Sequence, residues 1–385
     1  MSATLRRFVV VGMRRAFLAV VVLVSLLTIF MAVTPQGKAA FRAALFVPQV
    51  LDVPFKPQPW LTGDPVRHEV TYPQETGTGV ADVYRIPDSE RRAAVLLFLG
   101  ANAAGRDDKD VVNLGEALAR SGFVVMFHWS PTMALQHNID PAEIDKLVRA
   151  FQFLEQQEWV DPERVGIGGF CVGASFSLVA SADPRIRDRV RFVNAFGPYF
   201  DAGDLLFQVV TRSRLDQGVR TPWQPNRLTL KVFANELIET LDDSVDIELL
   251  TEKYLRGEST DAQPMTSAGQ TVARLLEGVS PEEATGLYLT LPEEFREAMD
   301  QVSPSRYLDD IKAKLLVLHD RDDGLVPSAE SRRLAAAMAD RGGVRYTELL
   351  SFDHVRPTSG SGAWLLIKEG FKLYRHMYGV MRAGT

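Results

Sequence analysis

Short apolar runs alternate with longer amphipathic segments along most of the chain, starting near residue 67. Unbroken apolar runs of this length predict buried strands, and the segments between them have the spacing of one-sided helices. Strands that alternate with helices are typical of a parallel sheet covered on both faces. We therefore predict an α/β fold with a mostly parallel sheet. The predicted strands are AAVLLFLG (93–100), FVVMFHW (123–129), VGIGGF (165–170), VRFVNAFG (190–197), KLLVLHD (314–320) and VRYTELL (344–350).

Two β-rich runs precede this series and are separated only by turn residues. They read HEVTYP (68–73) and GVADVYRIP (79–87). Two such runs joined by a short Gly-containing turn predict an antiparallel pair at the start of the sheet.

The alternation stops between residues 199 and 307, where the pattern is mostly helical. We predict a helical cap over 201–304, inserted into a core formed by 67–200 and 305–385. Insertions of this kind cover an active site and shape its pocket. The alternative is an insertion with a purely structural role.

The N-terminal segment is strongly apolar from Ala16 to Val33, without a charged residue. Its length is at the short end of what is needed to cross a bilayer. The arginines before it predict that this end is cytoplasmic and that the rest of the chain is extracytoplasmic. Residues 1–36 are therefore predicted to be a single-pass anchor in membrane lipid, with a cleaved signal peptide as the alternative. These arginines are Arg6, Arg7, Arg14 and Arg15.

Residues 37–66 are predicted to link the anchor to the core. The first part, 37–54, is apolar but carries Lys38 and Arg42. Two interpretations remain open, a helix lying on the membrane surface and a segment packed on the main domain.

The composition of the chain excludes several kinds of partner and site. The net charge is −6, which argues against a nucleic-acid partner because phosphate binding needs a basic face. The chain has one cysteine, which excludes an intrachain disulfide and a multi-cysteine metal site. No nucleotide-binding motif or metal cluster is visible, so we predict no cofactor and no metal. The sequence carries no signal of the oligomeric state.

The cysteine lies in a small-x-Cys-x-small pattern, with Gly169 and Gly173 on either side of Cys171. The pattern falls between a predicted strand and a predicted helix, where a sharp turn lifts a nucleophile above the sheet. The N-terminus of the helix favours a thiolate, and the N–H of Val172 is a candidate oxyanion donor. The alternatives are a packed core cysteine and a nucleophile at Ser175, one helical turn further on.

A cysteine nucleophile needs a base, and the base needs an acid that orients it. The strand run 314–320 is followed by a loop with Asp320, Asp322 and Asp323, and the run 344–350 is followed by His354. Each group comes after the C-terminal end of its own strand. This gives the chain order nucleophile, acid, base that is typical of strand-to-helix elbows of this kind.

These motifs resemble the dienelactone hydrolase family, a cysteine branch of the α/β-hydrolases, over about 67–200 and 305–380. The resemblance implies an α/β-hydrolase fold. The acid loop is similar to the superfamily pattern H-G-x-x-D-x-x-V-P, which starts here at His319 and selects Asp323. Asp320 stands where that pattern has glycine, so the choice between Asp322 and Asp323 remains open.

The oxyanion strand departs from the family pattern, because Leu99 and Gly100 stand where the family has histidine and glycine. By position, the N–H of Ala101 is the second oxyanion donor, and Asn102 is expected to offer a side-chain contact to the substrate.

Together these features predict a membrane-anchored hydrolase of small-molecule esters, lactones or thioesters. Cys171, His354 and Asp323 would act as a triad through a thioester acyl-enzyme. The alternatives are a non-catalytic membrane protein that binds or scaffolds, and an acyltransferase.

Overall fold

The computed structural model describes residues 3–51, 53–101, 105–259, 262–350, 352–353, 356–357 and 363–384, and side chains from residue 17 onward except those of 351–364 and 366. Its strands are, in chain order, β1 (Val66–Pro73), β2 (Thr78–Arg85), β3 (Arg92–Phe98), β4 (Phe123–Trp129), β5 (Val160–Phe170), β6 (Phe192–Phe196), β7 (Ser213–Asp216), β8 (Val219–Pro222), β9 (Lys314–Asp320), β10 (Val344–Leu349), β11 (Phe352–Asp353) and β12 (Arg356–Pro357).

Eight of these strands form the main sheet in the order β1-β2-β4-β3-β5-β6-β9-β10. Strand β2 is antiparallel to both of its neighbours, and the remaining pairs are parallel. An antiparallel opening pair followed by a parallel sheet with this strand order is the α/β-hydrolase fold. The fold class expected from the sequence is therefore confirmed.

The α-helices complete the architecture. They are α1 (Ala3–Val33), α2 (Pro35–Val50), α3 (Gln58–Leu61), α4 (Lys109–Arg120), α5 (Pro131–Gln136), α6 (Glu143–Glu155), α7 (Val172–Ala180), α8 (Ala202–Val210), α9 (Arg227–Ile238), α10 (Ser244–Leu250), α11 (Ser267–Glu277), α12 (Pro281–Thr290), α13 (Glu293–Gln301), α14 (Ser328–Ala337) and α15 (Ala363–Ala383).

The sheet separates two hydrophobic cores because successive side chains of a strand point to opposite faces. In β3, Leu96 is buried on the side of α6 and α7, and Leu97 is buried on the side of α4 and α15. The parallel strands are buried on both faces, which explains why they appear in the sequence as unbroken apolar runs.

Helix α2 packs on the second of these faces, against α4 and α15. Its residues Ala39, Ala43 and Phe46 belong to the core there. The segment after the predicted anchor is therefore packed on the main domain, which is one of the two interpretations left open by the sequence.

Helix α1 differs from α2 because its large apolar side chains, such as Phe17, Leu23 and Val33, are exposed. Within the described residues, no single helix has both the length and the apolar character to cross a bilayer. The bent pair Phe17–Val33 and Pro35–Val50, with 96° between its two helices, meets those criteria jointly.

The segment between β6 and β9 is mostly helical, as the sequence predicts. It carries α8 to α13, a π-helical turn over Thr251–Arg256 and the short hairpin β7-β8. We did not expect that hairpin, because its strands have no apolar run.

Candidate active site

The backbone turns sharply at Cys171, which lies between β5 and α7 with φ 53° and ψ −126°. A positive φ is uncommon outside glycine and marks a position held in place by its surroundings. The Cys171 N–H donates to the Phe196 carbonyl of the neighbouring strand β6 at 2.8 Å. This hydrogen bond holds the turn against β6, and the Cys171 side chain is left partly exposed.

The glycines around the cysteine are required by close backbone contacts. A Cβ on Gly169 would lie 2.5 Å from the Gly173 carbonyl carbon, and a Cβ on Gly173 would lie 2.3 Å from the Phe98 carbonyl oxygen. Backbone atoms cannot move away as a flexible side chain can. The small-x-Cys-x-small pattern in the sequence therefore reflects the steric needs of this strand-to-helix turn.

Cys171 opens onto a cavity of about 200 Å³ at the carboxyl edge of the sheet. Its walls are largely apolar, with Asn226 and Thr229 as polar exceptions. The other lining residues are Leu99, Ala101, Ile139, Phe170, Val172, Tyr199, Ala202, Leu205, Leu228, Val232, Phe233, Leu325 and Val326. The helices α8 and α9 of the insertion supply a large part of this wall.

The predicted oxyanion donors lie on the same cavity as the cysteine. Ala101 follows Gly100, whose φ is +65° and whose added Cβ would lie 2.5 Å from the Gly173 nitrogen. The end of β3 is thus pressed against the start of α7. Val172 is the first residue of α7, and the first N–H groups of a helix have no partner within that helix.

Ser175, the rival nucleophile, is fully buried. Its hydroxyl donates to the Tyr199 carbonyl and accepts from the Tyr199 N–H, both at 3.0 Å. A side chain that ties α7 to the segment after β6 in this way is not available to a substrate.

The acid loop follows β9 and places its two candidate carboxylates differently. Asp323 is buried, and its Oδ1 accepts from the N–H groups of Leu325 at 2.7 Å and Val326 at 3.1 Å. Both donors belong to residues that line the cavity. Asp322 is exposed. Burial and orientation by the backbone favour Asp323 as the acid.

The buried His319 side chain packs under this loop and contacts it. Its Nε2 lies 2.9 Å from the Val326 carbonyl oxygen and 3.4 Å from Oδ2 of Asp323. Its Nδ1 lies 2.6 Å from the Ser331 hydroxyl. The imidazole is fully buried, so it supports the position of Asp323 and cannot reach a substrate itself.

Two predicted site residues, His354 and Asn102, lie outside the described residues. The strands on either side of His354 are β11 and β12, which pair with each other. Strand β10 ends beside the acid loop, where the Arg321 N–H donates to the Leu349 carbonyl at 2.9 Å. The chain therefore leaves β10 at the same edge of the sheet as Cys171 and Asp323.

The insertion contacts the acid loop directly, which the sequence does not reveal. The Asn226 N–H donates to the Gly324 carbonyl at 2.7 Å, and the Thr229 hydroxyl donates to the Leu325 carbonyl at 2.9 Å. The first turn of α9 is thereby hydrogen-bonded to the loop that holds Asp323.

Glu236 is a buried acid on α9 that we did not predict. Burial raises its pKa to about 8, although the N–H of Ile139 donates to its Oε1 at 2.5 Å. Its spacing was a usable signal, because Glu236 follows Val232 and Phe233 by four and three residues and so shares their apolar face. The contact with Ile139 joins the insertion to the segment after α5.

His137 also lies near the cavity, at the end of α5, with a left-handed backbone (φ 58°). Burial lowers its pKa, and the positive charge of Lys231 on α9 adds to this shift, while a hydrogen bond with the Ala101 backbone opposes it. The neutral imidazole thus lies beside the loop that carries the second predicted oxyanion donor.

Comparisons with known proteins add structural neighbours. No protein-family model and no curated protein sequence matches this chain. It is similar to an acylaminoacyl peptidase of Pyrococcus horikoshii (13% identity, TM-score 0.47, covering 82% of this chain and 40% of that one). It is also similar to a puromycin-hydrolyzing peptidase of Mycobacterium tuberculosis (16%, 0.46, 81% and 37%). A third neighbour is 2,6-dihydroxy-pseudo-oxynicotine hydrolase (14%, 0.49, 83% and 69%). This chain therefore spans less than half the length of the two peptidases.

Proposed function

We propose that this protein is a hydrolase that cleaves small esters, lactones or thioesters with Cys171 as its nucleophile. The observation that carries the proposal is the strained strand-to-helix turn at Cys171, whose side chain opens onto an apolar cavity. Strain of this kind is retained where it serves a function, and a merely packed cysteine would need neither the positive φ nor the cavity.

The proposed reaction has two steps. His354 accepts the Cys171 proton, and the thiolate attacks the acyl carbonyl, whose oxygen receives hydrogen bonds from the N–H groups of Ala101 and Val172. The bond to the leaving group breaks, and the imidazolium returns the proton to that group. His354 then takes a proton from water, the hydroxide attacks the thioester, and the acid leaves as the thiol reforms. Asp323 holds the imidazole in the tautomer that this requires.

The cavity limits the substrate. About 200 Å³ is less than the roughly 300–1,000 Å³ of pockets that hold drug-sized ligands. The walls offer few polar groups, mainly those of Asn226 and Thr229. We therefore expect short or compact apolar acyl groups, with ester, lactone or thioester carbonyls preferred over amides.

The test is hydrolysis of p-nitrophenyl acetate, butyrate and octanoate by the full chain in neutral detergent, beside Cys171→Ala. We expect the variant to lose roughly a thousandfold or more in kcat/KM, and acetate to be used better than octanoate. Mass spectrometry of the quenched parent reaction should show acylation on the peptide that contains Cys171. Ser175→Ala is the matched control and should keep the acyl-enzyme. Equal rates for the parent and Cys171→Ala would disprove the proposal.

We further propose that α1 attaches the protein to a membrane. The exposed apolar side chains from Phe17 to Val33 support this, as do the arginines that precede them in the sequence. The full chain should resist extraction from membranes at alkaline pH, whereas Leu23→Glu/Leu27→Glu should be released. Release of both proteins would rule the attachment out.

A further inference from the structure

A second depression, larger than the cavity at Cys171, lies at the opposite edge of the sheet. It has a volume of about 830 Å³ and is formed around the amino ends of β5, β6, β9 and β10. We call it the basic groove because cationic residues outnumber the two acidic residues of its lining, Glu163 and Asp188. The seven cationic lining residues are Arg187, Arg189, Arg191, Lys312, Lys314, Arg341 and Arg382.

Four cations, Lys314, Arg191, Arg345 and Arg382, are close to one another at one end of this groove. The Lys314 N–H donates to the Arg191 carbonyl at 3.4 Å, so the two residues begin adjacent strands. Burial lowers the pKa of Lys314, and the positive charges of Arg345, Arg382 and Arg191 lower it further. The Lys314 ammonium is therefore held against neighbours of the same charge.

The protein itself neutralises only part of this charge. Arg187 pairs with Asp310, and Arg189 pairs with Glu155. Within the described part of the chain, no carboxylate forms an ion pair with Arg191, Lys314 or Arg345. Arg345 is not part of the groove lining but is a charged neighbour of Lys314, and its guanidinium donates to the Arg375 carbonyl, a bond that leaves its charge in place. The groove therefore keeps a positive charge, although the chain as a whole has a net charge of −6.

The groove is also close to α2, the helix that follows α1. The Arg42 guanidinium of α2 lies against Gly122, and Arg164 lowers the pKa of Arg42, an effect smaller than those of burial and Arg92. Arg164 in turn donates to the Gly384 carbonyl at 3.2 Å, next to the groove residues 382 and 383. Arg42 is the eighth residue of α2, about 10 Å along the axis of that helix, which is bent by 96° from α1.

We propose that the basic groove binds the phosphate groups of anionic phospholipids and so holds the amino edge of the sheet against the membrane surface. Guanidinium groups bind phosphate oxygens through paired hydrogen bonds, and an ammonium adds a point charge. This inference rests on the membrane attachment proposed for α1, which would bring the groove within reach of the headgroups. It does not depend on the reaction at Cys171.

In the test, the full chain in neutral detergent is mixed with equal amounts of two vesicle populations. One contains phosphatidylcholine alone, and the other contains phosphatidylcholine and phosphatidylglycerol at 3:1. Because α1 enters both populations, the ratio between them reports the effect of lipid charge. Each cation near an anionic surface should contribute about fivefold. Arg191→Gln/Lys314→Gln/Arg345→Gln should therefore lose roughly a hundredfold of the parent's preference for phosphatidylglycerol, and Arg191→Gln alone about fivefold.

The matched control is Arg256→Gln/Arg274→Gln/Arg306→Gln, which removes three exposed arginines away from the groove. It loses the same charge and should keep the preference. An equal loss in both triple variants, or no loss in either, would overturn the proposal. Thermal unfolding by circular dichroism shows that each variant is folded, and Arg191→Gln serves if the groove triple is not.

A further arm adds 10 mM inorganic phosphate at constant ionic strength. Little effect on the lipid preference supports headgroups as the ligand. Saturable binding of phosphate in detergent, together with loss of the lipid preference, would assign the groove to free phosphate and overturn the membrane role. Failure to enter phosphatidylcholine vesicles at all would disprove the α1 attachment. The difference between the parent and the groove triple variant in binding to the phosphatidylglycerol vesicles would then test the groove.

Discussion

The two edges of the main sheet have opposite physical characters. At the carboxyl edge, apolar walls line the cavity at Cys171, and the Asp323 carboxylate is buried and hydrogen-bonded by the backbone. At the amino edge, cations collect in an open groove around Lys314. The first edge is organised by close packing and the second by unbalanced charge. A single substitution should therefore have large effects at the carboxyl edge and small, additive effects at the amino edge.

The largest effect is expected at the acid. Asp323→Asn should lower kcat/KM for p-nitrophenyl acetate by roughly 10³–10⁴-fold, because an amide cannot hold the imidazole in the required tautomer. Asp322→Asn is the control one position away, and it should stay within threefold of the parent because Asp322 is exposed. A reversed order would make Asp322 the acid. Neither variant should change the preference for anionic vesicles.

The next effect concerns packing at the nucleophile turn. Gly173→Ala should lower the free energy of unfolding by about 3 kcal/mol or more, because its Cβ would meet the Phe98 carbonyl oxygen at 2.3 Å. Gly286→Ala on α12 meets no atom within 4 Å and should stabilise the helix by about 0.5–1 kcal/mol. Urea denaturation of both variants measures the difference. Similar midpoints would show that the turn is not tightly packed.

Glu236 gives a smaller effect that depends on pH. Its folded-state pKa of about 8 lies above the roughly 4.3 of an unfolded glutamate. The folded chain therefore retains a proton that the unfolded chain releases, and stability falls as the pH rises from about 4.3 to 8. Glu236→Gln keeps an acceptor for Ile139 without this dependence and should be more stable than the parent at pH 8 by roughly 1–3 kcal/mol. The melting temperatures of the two proteins are measured from pH 5 to 8. A constant difference between them over this range would contradict the prediction.

The smallest effect is expected at the amino edge. The lowered pKa of Lys314 means that its charged form destabilises the fold at neutral pH, and that this penalty disappears as the pH rises past the pKa. Lys314→Gln should raise the free energy of unfolding by no more than about 0.5 kcal/mol, because solvent screens a partly exposed group. The gain should shrink in 0.5 M salt. Lys368→Gln, an exposed lysine on α15, should show no gain.

The sheet could be predicted closely because its strands are buried on both faces. The run 123–129 coincides with β4, and the run 314–320 coincides with β9. The opening antiparallel pair is also as expected. The hairpin β7-β8 was missed because its short strands carry polar and partly exposed residues. The packing of α2 on the core depends on partners that are far away in the chain.

For the site, local sequence was informative only where the backbone requires particular residues. The glycines beside Cys171 have steric causes that a motif captures. The contact between Glu236 and Ile139 joins positions 97 residues apart, and no local pattern records it. The basic groove has the same origin, since Arg191 and Lys314 are ordinary strand-end cations until the strand order places them side by side. The assignment of His354 and Asn102 stays a prediction.

The hydrogen bonds from Asn226 and Thr229 to the acid loop also have a kinetic consequence. In the proposed reaction, any movement of the first turn of α9 that admits substrate or releases product would strain the same loop that holds Asp323. The opening of the cavity and the ordering of the loop that holds Asp323 would then depend on one conformational equilibrium. By linkage, a ligand that stabilises the contact between the insertion and the acid loop would also stabilise the ordered loop. Ordering of the loop would strengthen the binding of that ligand by the same free energy.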